Sequence, residues 1–151
     1  MKAIYLDKVQ SFSEREVTRP VCGEHQVIVQ MKAVGVCGSD VHYWKNGRIG
    51  QFVVKEPLIL GHESAGVVEE IGSKVTRLSV GDRVVMEPGI PCMKCKYCLE
   101  GRYNLCQDIV FFATPPDDGV LIESMAYDEN FVFKIPEEIT DYGLATMSEP
   151  M

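Results

Sequence analysis

The sequence predicts a mainly β domain, an antiparallel barrel or sandwich with functional loops, on three observations. Apolar residues alternate with polar ones over short runs, Gly and Pro interrupt those runs at short intervals, and only two stretches carry the start and stop signals of a helix. With 151 residues, 46% of them apolar, the chain is long enough to build one compact domain around a real core.

The strand signal is clearest in "QVIVQMKAVGV", where Val27, Val29, Met31 and Ala33 are expected on one face. The same period of two recurs in "SAGVVEEIG", "DRVVMEP" and "NFVFKIP". "PVCGEH", "EPLILGHE", "VGDR" and "EPGIPC" read as the turns and loops between them. The first helical stretch is "SDVHYWKNG", with Ser39 or Asp40 as cap and Asn46-Gly47 as stop. The second is "TDYGLATMSE" after Thr140; a helix that starts there and reaches Met151 implies a longer natural polypeptide.

A net charge of −7 and a pI near 5.0 argue against a general polyanion binder, because nucleic-acid surfaces carry an excess of Lys and Arg. Small molecules or proteins are the expected partners, with no nucleic acid and no membrane. There is no run of eighteen apolar residues, and "MKAIYLDKVQ" breaks up any secretory apolar region, so the reading is cytoplasmic. In a reducing compartment, clustered cysteines are more often metal ligands than disulfides.

Four of the six cysteines, Cys92, Cys95, Cys98 and Cys106, fall in one fifteen-residue loop with spacing C-x2-C-x2-C-x7-C. Turns at that spacing can bring four sulfurs to the corners of a tetrahedron about 2.3 Å from a zinc ion. Such a site leaves no position for substrate or water, so its role is structural: it orders a loop poor in apolar residues. Two disulfides, free thiols, or a nucleic-acid-binding ribbon using Lys94, Lys96 and Arg102 are the competing readings.

A sparser set lies elsewhere: Cys37 in "GVCGSD", His62 and Glu63 in "LGHESAG", and Glu149 in "SEPM". Thiolate, imidazole and carboxylate together suit zinc, and three protein ligands leave a position open, which catalysis requires. If Ser39 starts a helical turn, His42 at i+3 and Tyr43 at i+4 share its face, and a hydroxyl, an imidazole and a phenol cluster beside Cys37. Asp40 is placed to orient His62 through its second nitrogen. The competing reading has Ser39 and Asp40 merely capping a helix while Tyr43 and Trp44 fill the core, and the two readings are compatible.

"GHESAGVVEEIGSKVTRLSVGDRV" is similar to the zinc-site signature of the medium-chain dehydrogenase/reductase family, and "PCMKCKYCLEGRYNLC" resembles its structural-zinc lobe. "VCGSDVHYWKNGRIGQFVVKEPLILGHE", "FFATPPDDG" and "SEPM" resemble the polyol branch, the sorbitol (L-iditol) and xylitol dehydrogenases. The match runs over essentially the whole chain. Mammalian sorbitol dehydrogenases typically lack the intact four-cysteine set, and here the chain departs from them.

The resemblance implies that residues 1–151 are the N-terminal part of a GroES-like catalytic domain, a partly open β-barrel with few short helices and a zinc-binding lobe at about 88–110. It also implies a Rossmann domain for NAD or NADP outside this chain; no G-x-G-x-x-G occurs among the thirteen glycines, and no cofactor-binding residue is assigned here. Carried over by motif, Cys37, His62 and Glu63 are the catalytic zinc ligands, with Glu149 an alternative to Glu63, and Cys92, Cys95, Cys98 and Cys106 hold the structural zinc. Ser39 takes the substrate proton and His42 passes it on, while Tyr43, Phe111 and Glu149 border the polyol pocket.

The implied reaction is oxidation of a secondary alcohol of a polyol to a ketose by hydride transfer to NAD(P), in a homo-oligomer, dimer or tetramer. Alone, these 151 residues are expected to bind zinc without turnover. A threonine or 2,3-butanediol dehydrogenase of the same family, and a non-catalytic zinc-binding structural domain, are the alternatives; "HYW" and "FFATPPDDG" favour polyols over the first.

Overall fold

The computed structural model describes residues 1–149. Pro150 and Met151, the end of the "SEPM" segment, lie outside the described residues. With 36% strand and 17% helix the domain is mainly β, as the alternation predicts.

Strand β1 (Lys2–Lys8) turns at Gln10 into β2 (Ser11–Glu16), and β3 (Gln26–Val34) leads to helix α1 (Gly38–Asn46). A small ribbon of β4 (Arg48–Ile49) and β5 (Phe52–Val53) follows, then β6 (Leu58–Ile59), β7 (Ser64–Ile71) and β8 (Arg83–Met86). The cysteine loop is bracketed by β9 (Gly89–Ile90) and β10 (Val110–Phe111) and contains the single turn α2 (Lys96–Leu99). The remaining elements are β11 (Ser124–Asp128), β12 (Val132–Lys134) and α3 (Tyr142–Ala145).

All strand pairs are antiparallel. They form a five-stranded sheet, β11-β3-β7-β8-β12, and a three-stranded sheet, β2-β1-β6, that do not close on each other. The segment at 120–123 joins them. Its backbone exchanges hydrogen bonds with β1 (Ile4 N–H to Leu121 O, 2.9 Å; Glu123 N–H to Lys2 O, 3.0 Å) before it enters the large sheet as β11. The result is a partly open barrel.

One core lies on the large sheet: Val27, Val29, Val68, Val84, Met86 and Val132 pack against Phe112, Val120 and Tyr127. A second, under α1, gathers Leu6, Tyr43, Leu58, Leu60 and Ala113 with Trp44 and Ile49 at its margin. Burying a side chain such as Leu6 completely is worth about 1.5–3 kcal/mol. Tyr43 is therefore a core residue as well as a pocket residue.

Several local expectations change. Val27, Ile28 and Val29 are all buried, because β3 is interior to its sheet and carries irregularities at Ile28/Val29 and Met31/Ala33, which break the strict alternation. Helix α1 starts two or three residues earlier than a Ser39 or Asp40 cap: Cys37 is the N-cap, and Asp40, three residues on, accepts the Cys37 N–H. The stop is as read, with Gly47 left-handed at φ 66°. In "NFVFKIP" a 3-10 turn over Glu129–Phe131 precedes the strand, and the helix after Thr140 gives way after Ala145 to a 3-10 turn at Thr146–Ser148.

Glu129 is buried, and its carboxylate accepts the backbone N–H groups of Arg77 (2.9 Å) and Thr76 (3.1 Å), tying the β7–β8 connection to the turn before β12. The Arg77 N–H above all holds its pKa below the ordinary carboxylate value. A lowered folded-state pKa gives stability that is present above the unfolded-state pKa and lost as pH falls through the folded one. Urea midpoints measured between pH 6 and pH 3 should therefore fall more steeply for the wild type than for Glu129→Gln; parallel curves would rule out this clamp as a source of acid sensitivity.

Candidate active site

Two groups of metal-capable side chains form among the described residues: Cys92, Cys95, Cys98 and Cys106, and Cys37, His62 and Glu63. Within each group the ligand atoms lie within 4.8 Å of one another.

The four cysteines of the first group, like Cys22 and Cys37, are free thiols, which removes the disulfide reading. Cys95 Sγ is 3.4 Å and Cys92 Sγ 3.9 Å from Cys98 Sγ. A tetrahedron with 2.3 Å arms has edges of about 3.8 Å, so the sulfurs already have the spacing zinc requires. Backbone N–H groups point at the sulfurs: Cys95 N–H to Cys92 Sγ (3.3 Å) and Cys92 N–H to Cys106 Sγ (3.4 Å). Met93 takes φ 57° to make that turn. The Lys94 N–H leads in drawing the Cys92 thiol down to about 7, while burial leads in pushing Cys98 up to about 12. Neighbouring thiols cannot all ionise without a cation to offset the repulsion. The donor set fits zinc. Of the basic residues that suggested a nucleic-acid ribbon, Arg102 pairs with Glu100 and lies over the Tyr97 ring, and Lys96 is 4.0 Å from Glu100.

The second group is assembled from two connections of the chain. Cys37 ends the β3–α1 connection, and His62 and Glu63 precede β7. Two glycines make the approach possible. Gly61 sits at φ 88°, a conformation that favours glycine, and a side chain there would meet Val34 at 2.8 Å. A Cβ on Gly35 would fall 2.1 Å from the Glu63 carboxylate, so Gly35 is the cradle in which that carboxylate rests. Asp40 binds the pieces together: one oxygen accepts the Cys37 N–H (2.9 Å), the other accepts the Gly61 N–H (3.1 Å) and lies 3.8 Å from His62 Nδ1. Asp40 and His62 are each 6% exposed.

His62 also lines a cavity of about 220 Å³ with Ser39, Tyr43, Phe52 and Phe111. The Phe111 ring is 5.9 Å from the imidazole, centroid to centroid, tilted by 53°. Burial, then the Asp40 charge, raises the Tyr43 pKa, so its hydroxyl stays protonated. On the other side of Phe111 is a second cavity, of about 280 Å³, lined by Glu87, Phe133, Ser148 and Glu149. Burial above all raises the Glu149 pKa; His62 opposes the rise, while Glu63, Glu87 and Asp40 add to it.

Of the residues singled out from sequence, Cys37, His62 and Glu63 come together, and Ser39, Tyr43 and Phe111 line the adjoining cavity. Glu149 stands across Phe111, outside the three-residue group. His42 is exposed on α1, with its ring Nδ1 3.4 Å from Asn46 Nδ2. Glu87 was not foreseen. Burial raises its pKa and the Tyr103 hydroxyl opposes the rise, but in "EPGIPC" it reads only as a residue at the end of a strand.

Comparison with known proteins places these features. Residues 23–137 match the alcohol dehydrogenase GroES-like domain. The chain is 60% identical over 116 residues to a probable D-xylulose reductase A of Aspergillus terreus, covering 77% of this chain and 33% of that protein. It is 55% identical over 127 residues to the D-xylulose reductase A of Aspergillus oryzae, covering 84% and 35%. It thus spans about a third of the length of these curated relatives. Among solved structures, an Escherichia coli oxidoreductase/dehydrogenase of unknown specificity superimposes with a TM-score of 0.91 at 38% identity, over 99% of this chain and 43% of that one. With the match running across the five-stranded sheet, the cysteine lobe and the His62 turn, the chain belongs to the alcohol dehydrogenase GroES-like domain family.

Proposed function

We propose that residues 1–151 form the N-terminal part of the catalytic domain of a zinc-dependent dehydrogenase that oxidises a secondary alcohol of a xylitol- or sorbitol-type polyol to a ketose. NAD or NADP accepts the hydride on a domain outside these residues. The observation that carries the reading is the thiolate, imidazole and carboxylate of Cys37, His62 and Glu63 gathered beside a cavity that His62 shares with Ser39 and Phe111. The D-xylulose reductase relatives support the polyol class.

When bound by Cys37, His62 and Glu63, zinc supplies a Lewis acid that lowers the pKa of an alcohol hydroxyl. This matters because hydride leaves carbon readily only as the attached oxygen gives up its proton. Ser39 Oγ, in the cavity, takes that proton, and His42, exposed three residues further along α1, passes it to solvent. Tyr43 and Phe111 wall the substrate and exclude water, and Glu149, whose pKa burial raises, borders the neighbouring cavity that Phe111 also lines. Asp40 fixes the Cys37 and Gly61 backbones, and with Gly61 the turn that carries His62, at the distances the donor set needs. Cys92, Cys95, Cys98 and Cys106 hold a structural zinc. Six free thiols suit the reducing cytoplasm, and a dimer or tetramer is the assembly the family resemblance implies.

Metal analysis of the purified chain should find two zinc ions per chain, one after Cys37→Ser and one after Cys95→Ser. A zinc content unmoved by Cys37→Ser would remove the catalytic centre. Asp40→Ala leaves two backbone N–H groups without their acceptor, so unfolding free energy should fall by about 2–4 kcal/mol; zinc affinity at the Cys37 centre should fall about 10–100-fold. Unchanged zinc affinity would make Asp40 a folding residue only. The full-length protein should reduce NAD or NADP with xylitol or sorbitol while these 151 residues alone show no turnover. Failure of the full-length protein on xylitol, sorbitol, threonine and 2,3-butanediol alike would sink the dehydrogenase reading.

A further inference from the structure

One aromatic ring, Phe111, separates the two cavities: Ser39, Tyr43 and His62 lie on one side, Glu87 and Glu149 on the other. What holds this ring is brief. It ends the two-residue strand β10, paired only with β9 through Val110 opposite Ile90 and Phe111 opposite Gly89, and the next residue's N–H reaches Pro88 O at 2.9 Å. A two-residue ladder has little stability of its own.

The cysteine lobe lies directly above this ladder. Cys92 follows Ile90 by two residues, Cys106 precedes Val110 by four, and the Cys92 N–H donates to Cys106 Sγ at 3.4 Å. The sulfur cluster and the ladder are thus consecutive fasteners on the neck of one loop. Closing the loop at the sulfurs lowers the entropy cost of pairing β9 with β10. Inside the ladder, a Cβ on Gly89 would fall 2.7 Å from Ile109 Cδ1 and 3.2 Å from Phe111 Cδ2. Ile109 and Phe111 therefore rest on a face that only the missing side chain leaves open.

We infer that the four-cysteine lobe, closed by its metal, positions Phe111 against His62, and that Gly89 is the positioning residue through which the ladder sets the wall between the cavities. This rests on reading the four cysteines as a metal site and Phe111 as the pocket wall. A staple that merely stabilises the domain would act on every part alike; this one acts on one ring.

The chain has three histidines, so the ring resonances of His62 can be followed by NMR beside those of His25 and His42. A Cys37→Ser background keeps metal off His62. In that background, Phe111→Leu gives the His62 signal without the aromatic wall. Stripping zinc from the lobe with a chelator, and separately Gly89→Ala with zinc kept, should each move the His62 signal toward the Phe111→Leu position and leave His25 in place. The inference is overturned if Phe111→Leu shifts His62 while neither other change does, if Phe111→Leu itself shifts nothing, or if His25 moves together with His62. The measurement uses neither substrate nor nicotinamide, so its outcome is separable from that of the dehydrogenase assay.

Discussion

The arrangement depends most on one carboxylate. Asp40 is buried at the third position of α1, and its two oxygens accept N–H groups from Cys37 and Gly61, residues from separate segments of the chain. A helix N-terminus carries unpaired N–H groups, and so does a turn with a left-handed glycine. Asp40 satisfies one of each and so fixes the thiol-bearing turn relative to the imidazole-bearing turn. The ligand distances in the Cys37 group follow from that backbone clamp rather than from contacts between the ligands themselves. A carboxylate is tolerated in this buried place because both oxygens have donors.

The two cysteine-containing centres answer different physical problems. The lobe has few buried apolar side chains of its own, with Met93, Leu99 and Leu105 exposed, so hydrophobic burial cannot order it and a cross-link must. Its four sulfurs, all within 4.8 Å of one another, would fill a tetrahedral shell. The Cys37 group, by contrast, is set between two cores already made rigid by Leu6, Leu60 and Val120, and needs no cross-link for folding. A rigid surround with three donors can leave a position open, and an open position is what substrate chemistry requires.

How much of this was legible in the sequence can be judged residue by residue. The four-cysteine spacing was sufficient by itself, because the ligands are local and the turn between them is short. Cys37 and His62 are 25 positions apart and were grouped weakly by donor chemistry and then by motif resemblance; periodicity carried no such information. Glu63 and Glu149 could not be separated from sequence, since the difference is spatial: Gly35 leaves room for the Glu63 carboxylate, while Phe111 stands between Glu149 and Ser39. The cap of α1 was placed two or three residues late because a Cys N-cap is a weak signal beside Ser and Asp. The buried run Val27–Val29 escaped the alternation rule because the strand carries an irregularity at Ile28/Val29 that interrupts the period of two. Glu87 left no trace, its significance arising only when Tyr103 and Glu149 are brought up from distant parts of the chain.

Electrostatics gives the remaining step. Glu63, Glu87 and Asp40 each act on Glu149 so as to disfavour its ionised form, and His62 is the group that opposes them. Three carboxyl groups and one imidazole thus act on Glu149 in a part of the domain where burial weakens screening by solvent. A neutral binding pocket would have no use for that density of negative charge, and folding alone is impeded by it. A divalent cation beside His62 reverses the balance, turning mutual repulsion among the carboxylates into shared attraction. Protonation of Glu149 is the alternative relief, and the two compete: a cation at the Cys37 centre lowers the cost of ionising Glu149, so metal binding and the charge on the far side of Phe111 are linked.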